Sequence, residues 1–139
     1  MLFASTLGIF AIIFLVLEFA SLWVIFTKIG MPGWMGIVPF LNAFMVYKAR
    51  GLRSPVLWVV ICIIGSPSLG LPSDLAVLSL VLAVFFIVAR WFYCSDLAEM
   101  FGKTIGWKIF LFVVPGLAHL MLAFGDAKAD RRFIALPAK

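Results

Sequence analysis

Glu18 is the one acid in the apolar run from Leu2 to Phe26, 25 residues that contain no base. On a helix it stands roughly 15 Å before Lys28. An ionisable group at such depth in an apolar segment is costly and is a functional candidate by default. Ser21 and Lys28 follow it at i+3 and i+10 and share its face, giving a polar stripe. His119, the only histidine, lies twelve residues into a second apolar run, Trp107 to Phe124. Counted from the same side it reaches a similar depth, so a Glu18–His119 pair is geometrically possible. Three roles stand for Glu18: a protonated group hydrogen-bonded to a neighbouring helix, a proton or ion site, and a contact with a partner subunit. An acid–base pair of this kind could also serve an intramembrane enzyme, but no nucleophile or metal set accompanies it. Asn42 completes the candidate polar site, and its ordinary role after a proline is to cap or bridge backbone.

Other chemistry is poorly supplied. The chain has two cysteines, Cys62 and Cys94, and one histidine, whereas structural zinc takes about four such ligands and catalytic zinc about three. Metal and cofactor sites are therefore not expected, and the cysteines read as small apolar residues. Arg90 lies where a third apolar run gives way to charge, a place from which arginine snorkels to headgroup phosphates.

These groups must be positioned by helices in lipid. Of 139 residues, 65% are apolar and 12% charged, and the mean hydropathy is +1.22. Soluble domains average about 45–50% apolar and about 25% charged, and a short chain has little interior in which to hide the excess. Fifteen Phe and five Trp exclude a disordered polar chain. The net charge of +5 comes from bases scattered at the edges of apolar runs, which suits membrane topology and not nucleic acid.

The expected architecture is an all-α integral membrane protein. About four transmembrane helices are joined by a short interfacial or re-entrant segment near residues 33–47. The first helix covers Leu2 to Phe26 and lacks the basic start and cleavage site of a signal peptide. The stretch Lys28 to Ser54 holds Lys28, Lys48, Arg50 and Arg53 with no acid, which marks it as cytoplasmic and the N-terminus as external. Within it Gly33 to Tyr47 is apolar but too short to span. A second span starts at Pro55 and is interrupted at Gly65-Ser66-Pro67-Ser68. A third runs from Leu75 to about Tyr93, with Ser73 or Asp74 as N-cap. It continues as a polar helix in which Asp96, Glu99 and Lys103 share a face and Gly102 ends the run.

The last apolar segment, Trp107 to Phe124, has Pro115-Gly116 at its middle. Four spans place the tail outside, whereas a fold-back at Pro115-Gly116 returns it to the cytoplasm. Four spans are the expectation, because 18 residues suffice to cross and kinked prolines are tolerated in lipid. Residues 1–128 form one polytopic domain, and 129–139 a short basic tail. Three Trp-to-Pro modules recur, Trp34 to Pro39, Trp58 to Pro67 and Trp107 to Pro115. Two readings remain for them: ordinary interfacial Trp and membrane proline, or duplicated broken segments around a midplane site.

Lys28, Gly30, Pro32, Gly33 and Trp34, then Pro39, Phe40 and Asn42, followed by Phe101-Gly102-Lys103 and Phe124-Gly125-Asp126-Ala127-Lys128, make a distinctive series. In these motifs the chain resembles a family of small multi-pass bacterial membrane proteins of unknown function. The family's domain also occurs N-terminal to some signal peptidase I proteins. The chain departs from the pattern with Leu41 where Tyr is usual and with GSPSLG at 65–70. No peptidase domain accompanies it here, so the resemblance implies a fold and a bacterial cytoplasmic (inner) membrane location, and no activity.

The expected function is a non-catalytic accessory or scaffolding component of a membrane complex. Its partners would be the lipid bilayer and other membrane subunits or copies of itself, with no nucleic acid. The alternative is a small transporter or channel component that uses buried Glu18 and His119.

Overall fold

A computed structural model describes residues 2–38, 40–51, 54–65 and 75–135, with side chains described except for residues 2–7, 62, 64 and 65. The helices are α1 (Leu2–Ile29), α2 (Trp34–Ile37), α3 (Leu41–Arg50), α4 (Pro55–Gly65), α5 (Ala76–Met100), α6 (Ile105–Val113) and α7 (Pro115–Phe124). A 3-10 turn at Arg131–Phe133 follows, and no strand occurs among the described residues. Among the described residues two helices are long and apolar enough to cross a membrane, with mean hydropathy 2.6 over Gly8–Ile29 and 2.2 over Ala76–Met100. Pro39, Arg53, the interruption at 66–74 with its Ser73 or Asp74 cap, and residues 136–139 lie outside the described residues, as does the Cys62 side chain.

The two long helices end alike. Gly30 adopts φ 92 and Gly102 φ 62, a left-handed conformation that a Cβ disfavours. At α1, Gly30 N–H donates to Thr27 O (3.0 Å) and Met31 N–H to Phe26 O (2.9 Å). At α5, Gly102 N–H donates to Glu99 O (2.9 Å) and Lys103 N–H to Ala98 O (2.9 Å). Both are Schellman caps, which satisfy carbonyls that the helix end would otherwise leave open.

Each capped helix is followed by a helical hairpin. After α1 the chain runs back along it, with Gly33 against Trp23 and Gly36 against Leu22 and Phe26. It reverses at Phe40, a non-glycine residue at φ 63, and α3 returns beside α5, where Tyr47 Oη donates to Ala89 O at 2.6 Å. After α5, α6 runs back along that helix: Lys108 meets Glu99, and Phe112 packs on Trp91 with ring centroids 5.7 Å apart. The chain then breaks at Val114 (φ −129, ψ 67), and α7 returns beside α1. Phe14 meets Gly116, Glu18 meets His119, and Lys28 meets Leu122.

Trp107 to Phe124, expected as one spanning helix, is instead two helices that reverse at Val114. Pro115 cannot donate to the carbonyl four residues back and starts a new helix instead. The tail confirms the direction of return. Asp130 N–H donates to Met100 O and Ala135 N–H to Ala49 O, both at 2.6 Å, so residues 130–135 tie the ends of α3 and α5 together. The shared helix face expected for Asp96, Glu99 and Lys103 does not extend to Lys103, because α5 ends at Met100; Lys103 lies over the Trp107 ring instead.

The core lies where the hairpins meet the long helices. Ile25, Phe26, Tyr47, Leu97, Leu111 and Leu122 are fully buried there. Farther out, large apolar residues from Ile9 to Leu17 on α1 and from Val77 to Val88 on α5 are exposed.

Candidate functional site

Glu18 sits three turns before the α1 cap, on the face that receives α7. His119 Nδ1 lies 2.5 Å from Glu18 Oε1, and the histidine side chain is 4% exposed against 21% for the glutamate. The remaining polar atoms, Glu18 Oε2 and His119 Nε2, are buried without a hydrogen-bond partner. A carboxyl and an imidazole in contact share a hydrogen bond, donated by the imidazole Nδ1–H to a carboxylate or by a carboxylic acid to a bare Nδ1. Each open atom can accept or donate one further bond to a small ion, proton carrier or water.

The other stripe residues take supporting parts. Ser21 is buried, but its hydroxyl donates to Leu17 O at 2.7 Å in its own helix and not to Glu18. Lys28 Nζ donates to Leu122 O at 2.8 Å and Gly125 O at 3.0 Å, closing the C-terminal end of α7 with a cation, as the helix dipole favours. Asn42 stands apart from Glu18 and His119. Its Nδ2 donates to Gly36 O at 3.2 Å, pinning the first hairpin.

Two halves of the chain share a register. Glu18 precedes Gly30 by twelve residues, and Arg90 precedes Gly102 by twelve. Ser21 and Tyr93, both buried, precede the same glycines by nine. The returning helix of each hairpin packs on the long helix of the other half, α3 on α5 and α7 on α1, while α2 stays on α1 and α6 on α5. Thus Glu18 receives His119 from the second hairpin, and Arg90 faces a cleft lined by Asn42 from the first.

A charge cluster at the capped ends has no single-segment signature in the sequence. Glu99 is bonded by both Arg50 and Lys108, and Arg50 Nε lies 4.0 Å from Asp96, which is 2% exposed. Only the separate charges on three segments hinted at it. Nearby, the exposed Arg132 guanidinium beside Asp130 holds that carboxyl below the ordinary carboxylate range. Cys94 is buried with a free thiol, and no three His, Cys, Asp or Glu side chains gather as a metal would need among the described residues.

The motif residues fall at these junctions. Lys28 and Gly30 cap α1, Pro32, Gly33 and Trp34 begin the first hairpin, and Phe40 and Asn42 form its tip. Phe101, Gly102 and Lys103 begin the second hairpin, while Phe124, Gly125 and Asp126 end it beneath Lys28. No family model, curated protein or solved structure matches the chain.

Proposed function

We propose that the chain is a multi-pass integral membrane protein that handles a proton or small cation at Glu18 and His119, as a small transporter or channel component. On this reading α1 and α5 cross in the same direction, and α4, antiparallel to α5, starts the return between them, its 11 residues covering about half of a bilayer core. The two hairpins enter from the capped side and return to it. The bases Lys28, Lys48, Arg50, Lys103, Lys108 and Lys128 gather on that side, which makes it cytoplasmic and carries the tail there too. The family resemblance supports the same setting, because its scattered motifs converge on the hairpin junctions.

The observation that carries the function is the buried Glu18–His119 contact with one open polar atom on each partner. It sits where a broken helix meets a crossing helix, the arrangement in which membrane carriers place ion sites. The test is reconstitution into liposomes holding a pH-sensitive dye. Wild type should dissipate an imposed pH gradient faster than protein-free vesicles, and Glu18→Gln should return the rate to the protein-free level. A wild type no faster than empty vesicles rejects the reading.

An accessory role is the second reading, favoured by one observation. The outer half of α1, from Ile9 to Leu17, is exposed, although Phe14 there meets Gly116 of α7. A helix of another subunit would fill that space. Affinity purification in mild detergent with mass spectrometry tests it: a stoichiometric partner supports the role, and a pure homogeneous protein without flux leaves self-association alone.

A further inference from the structure

Arg90 is a cation without an acid among the described residues. Its guanidinium lies over the Tyr93 ring, 5.4 Å from the centroid, and makes no hydrogen bond or ion pair among the described residues. The acids near it are engaged elsewhere: Glu18 with His119, Asp96 with Arg50, and Glu99 with Arg50 and Lys108. Beside the guanidinium opens a cleft of about 170 Å³, walled by Phe40, Ala43, Phe86 and the Tyr93 ring, with Asn42 at its edge. The Asn42 amide nitrogen is tied to Gly36 O, so the charged donor facing the cleft is Arg90.

A guanidinium in a low-dielectric setting favours an anion with paired oxygens, and phosphate fits its fork geometry. Three aromatic walls suit a glycerol and acyl portion. On the same face of α5, Leu82 and Ala83 lead outward from Phe86 and are partly exposed, continuing an apolar floor. Arg90 lies six residues before Asp96, roughly 9 Å on the apolar side of the charged end. Trp91 is beside it in sequence, and Trp58 packs on Phe92 at 4.8 Å, so aromatic side chains of the kind found at membrane interfaces mark this level. A lipid phosphate reaches such a level with its chains already in hydrocarbon, whereas a free anion must be dehydrated to enter.

We propose that this cleft is a phospholipid site, in which Arg90 holds an anionic headgroup phosphate and Phe40, Phe86 and Tyr93 hold the adjoining apolar portion. The proposal rests on the membrane reading and is independent of flux through Glu18 and His119.

The test is native mass spectrometry of the full-length protein, delipidated in mild detergent and offered phosphatidylglycerol, diacylglycerol of the same chains, or inorganic phosphate. Retention in carbonate-washed membranes checks the membrane reading separately. Wild type should keep one phosphatidylglycerol and no diacylglycerol. Arg90→Gln should lower retention about tenfold or more, the scale of a lost charged hydrogen-bond pair. Arg132→Gln, at an exposed site, should not change it. Ala43→Trp fills the cleft with Arg90 in place and should also release the lipid, which decides the matter if Arg90→Gln does not fold. Equal retention by the cleft variants and wild type, equal retention of diacylglycerol, or displacement of the lipid by millimolar inorganic phosphate would each overturn the proposal.

Discussion

His119 Nδ1 lies 2.5 Å from Glu18 Oε1, across 101 residues of chain, and this contact seats the second hairpin on the first helix. Removing one member leaves the other buried without its partner, which typically costs about 3–5 kcal/mol, whereas replacing both with apolar groups is often close to neutral. Glu18→Leu and His119→Leu should therefore each destabilise the protein strongly in detergent, and the double variant should recover much of the loss. Thermal unfolding of the four proteins measures the coupling. Strictly additive effects would contradict a direct pair.

The pair predicts sidedness as well as stability. A hairpin that returns α7 beside Lys28 puts Lys128 on the same side as Lys48 and Lys103. Single cysteines at these three positions, in a background lacking Cys62 and Cys94, should react with an impermeant maleimide from one face of the membrane only. Labelling of the Lys128→Cys protein from the opposite face would restore the four-span threading.

That threading shows where reading the sequence stops. The run Trp107 to Phe124 is long enough to cross, and Pro115 reads equally as a kink or as a reversal. What decides is tertiary: the close approach of Phe14 to Gly116 and the grip of Lys28 on the last carbonyls of α7. The possibility of a Glu18–His119 pair, the short segment after Trp34 and the break at Gly102 follow from depth, length and residue type. The helix-then-hairpin order of the two halves does not show in the Trp-to-Pro modules, whose spacings differ. Counted back from Gly30 and Gly102, where the backbone itself fixes the register, the two halves agree at Glu18 and Arg90. The Arg50–Glu99–Lys108 cluster joins three segments, so no local pattern could announce it.

Gly116 is the steric condition for that second hairpin. A Cβ there would overlap the Phe14 ring. Gly116→Val should push α7 off α1 and cost about 1–3 kcal/mol, in the range of overpacked cores. Phe14→Ala in the same chain should return part of it, because the clash is with one ring. Melting temperatures of the single and double variants check this, and no recovery in the double variant would place the strain elsewhere.

The exchange of hairpins between halves makes a stronger demand on the whole fold. In a protein of two independent halves, α2–α3 would finish its packing on α1 and α6–α7 on α5. Here α3 completes its burial against α5, through Tyr47 and Ala89, and α7 against α1, through His119 and Glu18. Each half thus covers the first helix of its own hairpin, α2 on α1 and α6 on α5, and lacks the surface that covers the second, and α4 adds a further contact from the first half to α5. Residues 1–65 and 66–139, coexpressed as separate chains with a tag on one, should copurify in equal amounts. Expressed singly, each should be degraded or aggregate, since its buried Glu18, or its His119, has no partner. Adding Glu18→Leu to the first fragment alone should weaken the recovered complex, while Arg132→Gln in the second should not. Stable, monodisperse single fragments that fail to associate would mean that the halves fold alone and that the exchanged packing does not govern assembly.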